Sequence, residues 1–192
     1  MHRPWEIIRS ETLVKDGWID LRADQCRTPA GAAIAPYYVL NYPEWVTVVA
    51  LTPDDRVVMV RQYRHAVGCS VLELPGGVVD AGDATLADAA RRELLEETGH
   101  AAPVLRPVCS LFPNPATHTN RTHTFLALDA VPGGQRALEA GEEGMEVCTV
   151  PLAEALDAAG QGRLGHALHV AALYAGLQMA GRLRLVPRAQ GE

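Results

Sequence analysis

The chain has 192 residues, of which 48% are hydrophobic and 21% are charged, so it is long and apolar enough to bury a sizeable core. Its formal net charge of −6 and the lack of any run of lysine or arginine exclude a general electrostatic attraction to nucleic acid. No apolar stretch is long enough to cross a membrane, and the first residues lack the apolar core of a secretory signal, so no membrane partner is expected.

Three short strands are predicted first, in the segments WEIIRSETLV, GWIDLRADQCRT and APYYVLNY. The breaks between them fall at residues 15–17 and 29–31, where glycine, proline and aspartate favour turns. We expect residues 1–42 to form a small separate sheet and residues 43–192 to form the main domain.

A hairpin is predicted next, in the segment TVVALTPDDRVVMVRQY. Its two β-branched runs favour strands, and residues 53–55 favour the turn that joins them. Beyond it we expect a helix at residues 85–98, strands near 104–111, 121–128 and 145–150, and closing helices near 152–159 and 166–180. This order predicts an α+β sandwich and not an alternating parallel sheet.

The predicted helix at residues 85–98 follows a glycine-containing turn. Thr85 followed by Asp88 forms a start that is typical of a capping box, and Gly99 favours the stop. At about 3.6 residues per turn, Asp88 and Arg91 face solvent. The apolar residues share the other side, which should face the core: Leu86, Ala89, Ala90 and Leu94.

Three glutamates of this helix are candidate metal ligands. Glu93 and Glu97 are four residues apart and fall on the apolar side, with Glu96 beside them. Carboxylates there are costly unless they are neutralised, and they would raise one another's pKa. A divalent cation removes both costs, because Mg²⁺ takes oxygen ligands. The alternative is a solvated acidic helix end, with Arg92 and Glu96 as an exposed ion pair; the full spacing after the glycine turn favours the metal.

The run from Gly76 to His100 resembles the Nudix box, GX5EX7REUXEEXGU, in which U is aliphatic. Its order and spacing match from Arg92 to Gly99. The chain departs from the box in three ways: the first glutamate is Asp83, one extra residue precedes the REL run, and the last aliphatic residue is His100. The extra residue precedes the helix cap, so it should lengthen the loop without rotating the glutamates. The role of Asp83 stays open.

The resemblance to the Nudix hydrolase superfamily implies an α/β/α sandwich with a mixed sheet. It also implies hydrolysis of the diphosphate of a nucleoside diphosphate linked to another group, with Mg²⁺ or Mn²⁺. Glu93 and Glu97 would be the main ligands and Glu96 a further one. The backbone carbonyl of Gly76 would complete the metal site, and Arg92 would hold a carboxylate through a salt bridge. Bound cations would neutralise the diphosphate, activate water and stabilise the leaving phosphate.

Further segments resemble the ADP-ribose pyrophosphatase branch of this superfamily. Residues 60–64 look like its QYR element and residues 72–77 like its ELPAG element. This resemblance implies cleavage of ADP-ribose to AMP and ribose 5-phosphate. Arg64 would contact phosphate or ribose, as arginine's paired donors suit phosphate. Arg61 is a second candidate, although an edge-strand arginine in water fits it better, and Glu73 would either contact substrate or brace the loop.

The same branch implies a homodimer and a glutamate base. Its members form swapped dimers through a small antiparallel N-terminal sheet, which the three predicted strands resemble. The catalytic base is often a glutamate in a mobile loop before the last strand, where Glu143 fits best and Glu142 lies close behind. Outside this resemblance, we interpret His166 and His169 on the last helix as ordinary surface or interface histidines.

Two other functions are compatible with these patterns. One is hydrolysis of another nucleoside diphosphate sugar or a dinucleotide, and the other is a non-catalytic module that senses ligands similar to ADP-ribose. The intact glutamate run favours catalysis, because a sensor does not need every ligand.

Four scattered cysteines predict the redox environment. No two of them are close enough in sequence to suggest a zinc knuckle or a disulfide framework, so we expect a reducing, cytoplasmic location. They are Cys26, Cys69, Cys109 and Cys148.

Overall fold

The computed structural model describes residues 3–184 and residue 186. The chain divides into two compact units. The first contains Met1–Glu44 and Leu111–Arg121, and the second contains Trp45–Ser110 and Thr122–Glu192. The segment at 111–121 therefore belongs with the N-terminal strands, which the division at residue 42 did not anticipate.

The first unit contains a three-stranded antiparallel sheet in the order β1-β2-β3. Its strands are β1 (Glu6–Lys15), β2 (Asp20–Arg27) and β3 (Ala33–Leu40), so the three predicted strands are confirmed. The second begins later than expected because the Asp16 carboxylate accepts hydrogen bonds from the backbone N–H groups of Trp18 (2.7 Å) and Ile19 (2.9 Å). These bonds hold a turn where the sequence predicted strand.

The second unit is built on a six-stranded mixed sheet. Its strands are β4 (Trp45–Leu51), β5 (Arg56–Arg64), β6 (Cys69–Glu73), β8 (Val104–Leu111), β9 (Thr122–Leu128) and β11 (Glu146–Pro151). The order is β11-β5-β4-β9-β8, and β6 pairs with β5. The pairing of β4 with β9 is parallel, whereas β5 pairs antiparallel with β4, β6 and β11. Two short strands, β7 (His100–Ala101) and β10 (Val131–Pro132), form a separate ribbon.

Three helices cover the two faces of this sheet: α1 (Leu86–Thr98), α2 (Leu152–Gly160) and α3 (Ala167–Met179). Side chains alternate along a strand, so β4 serves both faces. Val46 and Val48 pack in one cluster with Leu94 of α1. Val49 packs in the other cluster with residues of α2 and α3, including Leu173. The predicted α+β fold, with an α/β/α sandwich and a small antiparallel sheet, is confirmed.

Two elements of the second unit were not predicted. The first is β6, whose five residues follow a single 3₁₀ turn at His65–Val67 and do not alternate clearly between apolar and polar. The second is the ribbon of β7 and β10, which has two residues in each strand. Such short elements carry too few residues to produce a periodic pattern. Among the described residues, no helix has both the length and the apolar character needed to span a membrane.

Candidate active site

Helix α1 begins and ends at the residues that the sequence predicted. The Thr85 side chain caps its start by accepting a hydrogen bond from Asp88 N–H (3.1 Å). Gly99 ends it in the left-handed conformation (φ 71°) and donates its N–H to Leu95. The inserted residue therefore lies in the preceding loop, and the glutamates keep their relative spacing on the helix.

The helix presents two buried carboxylates. Glu93 is 7% exposed and Glu97 is 2% exposed, on the same face as the apolar residues. Burial raises the pKa of Glu93 to about 7, against the lowering influence of Arg92. Burial likewise raises the pKa of Glu97 to about 8, although a hydrogen bond from Gly76 N–H (2.9 Å) acts in the opposite direction. These carboxylates are costly to ionise in the absence of a cation.

A glycine loop closes over these carboxylates. A Cβ on Gly77 would lie 2.6 Å from Oε1 of Glu93, and a Cβ on Gly76 would lie 2.9 Å from the Cα of Thr47. Gly76 also has a φ of +155°, which side-chain-bearing residues rarely adopt. At position 77 only glycine lets the backbone approach Glu93 this closely, and at position 76 only glycine lets the loop approach strand β4 this closely.

One carbonyl of this loop is available for a ligand. The carbonyls of Pro75 and Gly77 accept backbone hydrogen bonds from Val48 (2.8 Å) and Val46 (2.9 Å). Within the described residues, no hydrogen bond reaches the Gly76 carbonyl between them. Gly76 lines the same cavity as Glu93 and Glu97, so it adds an oxygen donor to the carboxylates, and this donor set suits a hard cation such as Mg²⁺.

Arg92 organises the outer side of the acidic helix. It donates to Asp83 through Nη2 (2.8 Å) and Nε (3.1 Å), and to Glu93 (2.9 Å) and Glu96 (3.0 Å) through Nη1. Its hydrogen bonds lower the pKa of the Asp83 carboxyl. Asp83 thus anchors Arg92, and the exposed Arg92–Glu96 pair considered as an alternative is one part of a larger network.

A cavity of about 590 Å³ lies against this helix, and all of its lining residues belong to the second unit. Two groups of polar residues line it. We call the first the acidic group: Glu93, Glu96, Glu97 and Glu142. We call the second the histidine group: Arg64, Glu73, His166 and His169.

Glu73 braces Arg64 within the histidine group. The Glu73 carboxylate is 3% exposed and accepts hydrogen bonds from Arg64 Nη2 (2.7 Å) and from Gln62 Nε2 (2.9 Å). The Arg64 side chain keeps 48% of its surface exposed. Of the two arginines proposed to bind substrate, Arg64 lines the cavity, whereas Arg61 is exposed and does not.

The structure separates the two candidate bases. Glu142 lies at the end of a 3₁₀ turn (Ala140–Glu142) and lines the cavity, whereas Glu143 is exposed and does not line it. Glu142 Oε2 accepts the N–H of Glu139 (2.9 Å), which fixes the side chain at the start of its own turn. The charge of Glu142 contributes to the raised pKa of both Glu93 and Glu97.

Arg136 connects the loop of Glu142 to helix α1, and no sequence pattern points to this role. Its Nε donates to the Glu97 carbonyl (2.6 Å) and its Nη2 to the Met145 carbonyl (2.8 Å). The backbone of Ala137 also donates to the Glu96 carbonyl (3.0 Å). The loop that was expected to be mobile is therefore attached to the end of the acidic helix.

The interpretation of His166 and His169 as ordinary surface or interface histidines is wrong. His169 is 6% exposed, and both side chains line the cavity. His169 Nδ1 accepts the N–H of Leu74 (3.1 Å), and the two imidazole rings meet edge to face at 4.1 Å. Burial lowers the pKa of both histidines. Spacing along α3 alone could not reveal that this turn packs against the end of β6.

The histidine group also contains three potential metal ligands. Single ligand atoms of Glu73, His166 and His169 lie within 4.8 Å of one another. The chemistry does not favour a cation there, because Arg64 already neutralises Glu73 and the bond from Leu74 leaves the proton on the other nitrogen of His169. The acidic group fits a divalent cation better.

Comparison with known proteins agrees with this geometry. Residues 42–171 match the NUDIX domain, and residues 5–40 match the nucleoside diphosphate sugar hydrolase N-terminal domain. The chain belongs to the Nudix family, and it is a Nudix hydrolase.

Individual relatives give the same result over most of the chain. An ADP-ribose pyrophosphatase of Mycobacterium tuberculosis is 30% identical over 89% of this chain and 82% of its own length. One of Bacillus subtilis is 31% identical over 78% of this chain and 80% of its own length. A crystal structure of an ADP compounds hydrolase shares the fold with a TM-score of 0.82, covering 95% of this chain and 99% of its own, at 23% identity. The predicted family and branch resemblance are confirmed.

Proposed function

We propose that this Nudix hydrolase cleaves ADP-ribose to AMP and ribose 5-phosphate with Mg²⁺ as cofactor. The observation that carries the proposal is the pair of buried carboxylates, Glu93 and Glu97, that face a glycine loop inside a cavity of about 590 Å³. The similarity to two ADP-ribose pyrophosphatases supports this substrate.

The metal ligands follow from the donor set. Glu93 and Glu97 would hold the cation, with Glu96 and the Gly76 carbonyl as further ligands. When bound, Mg²⁺ or Mn²⁺ supplies charge neutralisation of the diphosphate and a lowered pKa of coordinated water. Arg92 keeps Glu93 and Glu96 oriented through its hydrogen bonds, and Asp83 holds Arg92 in place.

Glu142 is the residue we propose as the general base. Its Oε2 accepts the N–H of Glu139, so Oε1 is available to take the proton of the attacking water. The water oxygen forms a bond to one phosphorus as the bridging P–O bond breaks, and the leaving phosphate departs with its own half of the substrate. The exposed position of Glu143 gives it less support for this role.

Arg64 is the proposed phosphate contact. Its guanidinium lines the cavity, and Glu73 engages Nε and Nη2. Within the described residues Nη1 makes no hydrogen bond, so it can donate to a phosphate oxygen. Glu73 thereby acts as a positioning residue, and Arg61 has less support as a contact.

A second candidate substrate is another nucleoside diphosphate sugar or a dinucleotide. The family that matches residues 5–40 is named for nucleoside diphosphate sugar hydrolases, which supports this alternative. A sensor without catalysis has less support, because Glu93, Glu96 and Glu97 all line the cavity.

The test is a product analysis on purified protein. ADP-ribose, other nucleoside diphosphate sugars and dinucleotides are incubated with Mg²⁺ or with a chelator, and products are separated by chromatography. We expect AMP and ribose 5-phosphate with Mg²⁺, and a loss of at least about a hundredfold in Glu97→Gln. Glu154→Gln, which changes an exposed glutamate at the start of α2, is the matched control. Metal-independent turnover, or unchanged turnover in Glu97→Gln, would contradict the mechanism.

We also propose that the enzyme is a cytoplasmic homodimer. Each of the four cysteines, all in the described part of the chain, is free, which supports a reducing compartment. Every residue of β1 is exposed, including apolar Ile7, Ile8 and Leu13, which supports pairing of this strand with a second copy of the chain.

A further inference from the structure

The histidine group of the cavity has no assigned role in the proposed reaction apart from Arg64 and its brace, Glu73. These two residues carry opposite charges and are joined at 2.7 Å, so they compensate each other. What remains is a pair of imidazoles, His166 and His169, at the first turn of α3. The hydrogen-bonding character of these two rings determines which chemical group they can bind.

The tautomer of His169 is fixed by the backbone. Its Nδ1 accepts the N–H of Leu74 at 3.1 Å, so in the neutral ring the proton must lie on Nε2. Burial lowers the pKa of both histidines, and for His166 it outweighs the raising influence of Glu73, so both rings favour the neutral form at neutral pH. The pair therefore offers neutral donors and acceptors instead of positive charge.

His166 is the member with an unmet hydrogen bond. Its Nδ1 is buried, and it has no hydrogen-bond partner among the described residues. His166 precedes α3, but its side chain does not cap the helix. A buried ring nitrogen without a partner costs free energy, and the His166 side chain lines the cavity, so turning the ring toward a ligand there would relieve that cost.

The chemistry of a neutral imidazole selects among the parts of a nucleoside diphosphate sugar. Phosphate oxygens accept hydrogen bonds only and are better matched by Arg64. A sugar hydroxyl both donates and accepts, so it can satisfy either nitrogen of the ring. The nearby lining residues Val71 and Leu168 add apolar contact for the carbon skeleton of a sugar.

We propose that His166 hydrogen-bonds a sugar hydroxyl of the substrate and thereby determines which nucleoside diphosphate derivatives are cleaved. His169 positions it, since its ring lies edge to face against His166 at 4.1 Å and is itself held by Leu74. The inference rests on the proposed function, because it presumes a substrate with two sugars joined by a diphosphate.

The experiment compares three substrates across variants of His166. The substrates are ADP-ribose, ADP-ribose with a 2′,3′-dideoxyadenosine, and the methyl ester of ADP at its β-phosphate, which lacks the second sugar. We expect His166→Phe to lower kcat/KM for ADP-ribose by about tenfold, because a hydroxyl loses its partner. The kcat/KM should not change for the substrate that lacks the contacted hydroxyl. That substrate is the methyl ester if His166 contacts the second sugar, and it is the dideoxy compound if His166 contacts the ribose of the nucleoside.

Two further variants separate recognition from folding. His166→Asn keeps a short donor and acceptor, so it should restore most of the lost kcat/KM for ADP-ribose. His65→Phe changes an exposed histidine that does not line the cavity, and all three substrates should react as in the unmodified enzyme. Thermal unfolding of each variant shows whether it is folded.

An equal loss for all three substrates in His166→Phe, or no loss for any, would overturn the proposal. Failure of the proposed function gives a different result, since the unmodified enzyme would then hydrolyse none of them. In that case, ADP-ribose binding by calorimetry in a chelator still tests the inference. Binding of ADP-ribose should weaken about tenfold in His166→Phe and not in His65→Phe. Equal affinities of the two variants for ADP-ribose would contradict the inference.

Discussion

Two carboxylates of one helix face are held in an environment that favours their protonated forms. Glu93 and Glu97 have pKa values raised to about 7 and about 8, mainly because burial removes water from them. The charge of Glu93 also raises the pKa of Glu97, and the charge of Glu96 raises the pKa of Glu93. The site is therefore destabilising to the folded protein whenever both groups are ionised and no cation is bound.

This environment predicts how stability depends on pH without metal. The ordinary glutamate pKa is 4.5, so between that value and about pH 8 these two groups bind more protons in the folded state than in the unfolded state. Their contribution to the free energy of unfolding then falls as pH rises through this window, and we expect it to exceed the opposite contribution of His166 and His169, whose pKa values are lowered. In a chelator, we expect the melting temperature near pH 8.5 to lie roughly 5 °C below that near pH 5.5.

Two additions control this measurement. Mg²⁺ should raise the melting temperature more at the higher pH, because the cation competes with protons for the same oxygens. The double variant Glu93→Gln/Glu97→Gln should have a flatter pH dependence. A melting temperature that rises with pH in the chelator would contradict the assignment of these groups as the source.

The glycine loop gives a second prediction for a single residue. Gly77→Ala places a Cβ about 2.6 Å from Oε1 of Glu93, so the carboxylate must move away from its position. We expect Mg²⁺ affinity and turnover to fall by roughly 10- to 100-fold, measured by calorimetry and product formation. Gly82→Ala, in the same loop with nothing within 4 Å of the added atom, should retain both. Equal Mg²⁺ affinity and turnover in the two variants would show that the close approach of the Gly77 backbone to Glu93 is unimportant.

The sequence predicted some of these side chains and missed others for a physical reason. The spacing of Glu93, Glu96 and Glu97 is local, so the helical repeat alone places them together. His169 is buried and accepts a hydrogen bond from the N–H of Leu74, which is 95 positions away in the chain. The residues around His169 carry no pattern that indicates this contact.

The loop between β10 and β11 is held in position by its contacts with helix α1. Arg136 bridges the Glu97 carbonyl of α1 and the Met145 carbonyl at the end of the loop, at 2.6 and 2.8 Å. Glu142 lies between Arg136 and Met145 in the chain. The proposed base is thus held by the same helix that carries the proposed metal ligands.

Arg136→Gln should reduce turnover by acting through Glu142. We expect kcat to fall by about tenfold, with little change in KM, because the loop loses two anchoring bonds. Arg56→Gln, which removes a bond to the Thr149 carbonyl at the neighbouring strand β11, is a matched control and should retain kcat.

A double-mutant cycle separates positioning from general destabilisation. If Arg136 acts by placing Glu142, Arg136→Gln should have almost no further effect on kcat in a Glu142→Gln enzyme. Additive losses would mean that Arg136 contributes to folding only.

Elements of the fold were predictable where their residues carry a strong periodic pattern. The β-branched runs of β4 and β5 and the capped helix α1 were recognisable from the sequence alone. The parallel pairing of β4 with β9 joins Trp45 to Thr122, and such long-range neighbours leave no local signal. The short strand β6 was missed for the different reason that it has no clear alternation.

At the scale of the whole molecule, the first unit has an edge strand that pairs on one side only among the described residues. Strand β1 lies at the end of the sheet order β1-β2-β3, and apolar residues along it are exposed: Ile7 57%, Ile8 49% and Leu13 46%. Long edge strands with apolar side chains favour association with another chain.

This edge predicts a dimer that depends on β1. The unmodified chain should have the mass of a dimer by light scattering, and Ile7→Glu/Leu13→Glu should have the mass of a monomer, because two charges then replace apolar contact. Thr12→Glu adds one charge on the same strand without removing apolar surface and should stay dimeric. A monomeric unmodified chain would contradict the proposal.

Deleting residues 1–42 is a less discriminating test of the same idea. The segment 111–121 hydrogen-bonds to the strands that would be removed, for example through Leu40 N–H and the Thr117 carbonyl (2.8 Å). The sequence indicated a separate N-terminal sheet, but it could not indicate that a segment 70 or so residues further along belongs to the same unit.

The end of β6 has one more consequence for the second unit. Leu74 and Gly76 are two residues apart, yet the N–H of the first reaches His169 on α3 and the N–H of the second reaches Glu97 on α1. Those helices cover opposite faces of the sheet, so three residues of backbone connect the sheet to both helix layers. We therefore expect a ligand that displaces the imidazoles to shift the backbone that hydrogen-bonds Glu97, and a cation bound by Glu97 to restrict the motion of His169.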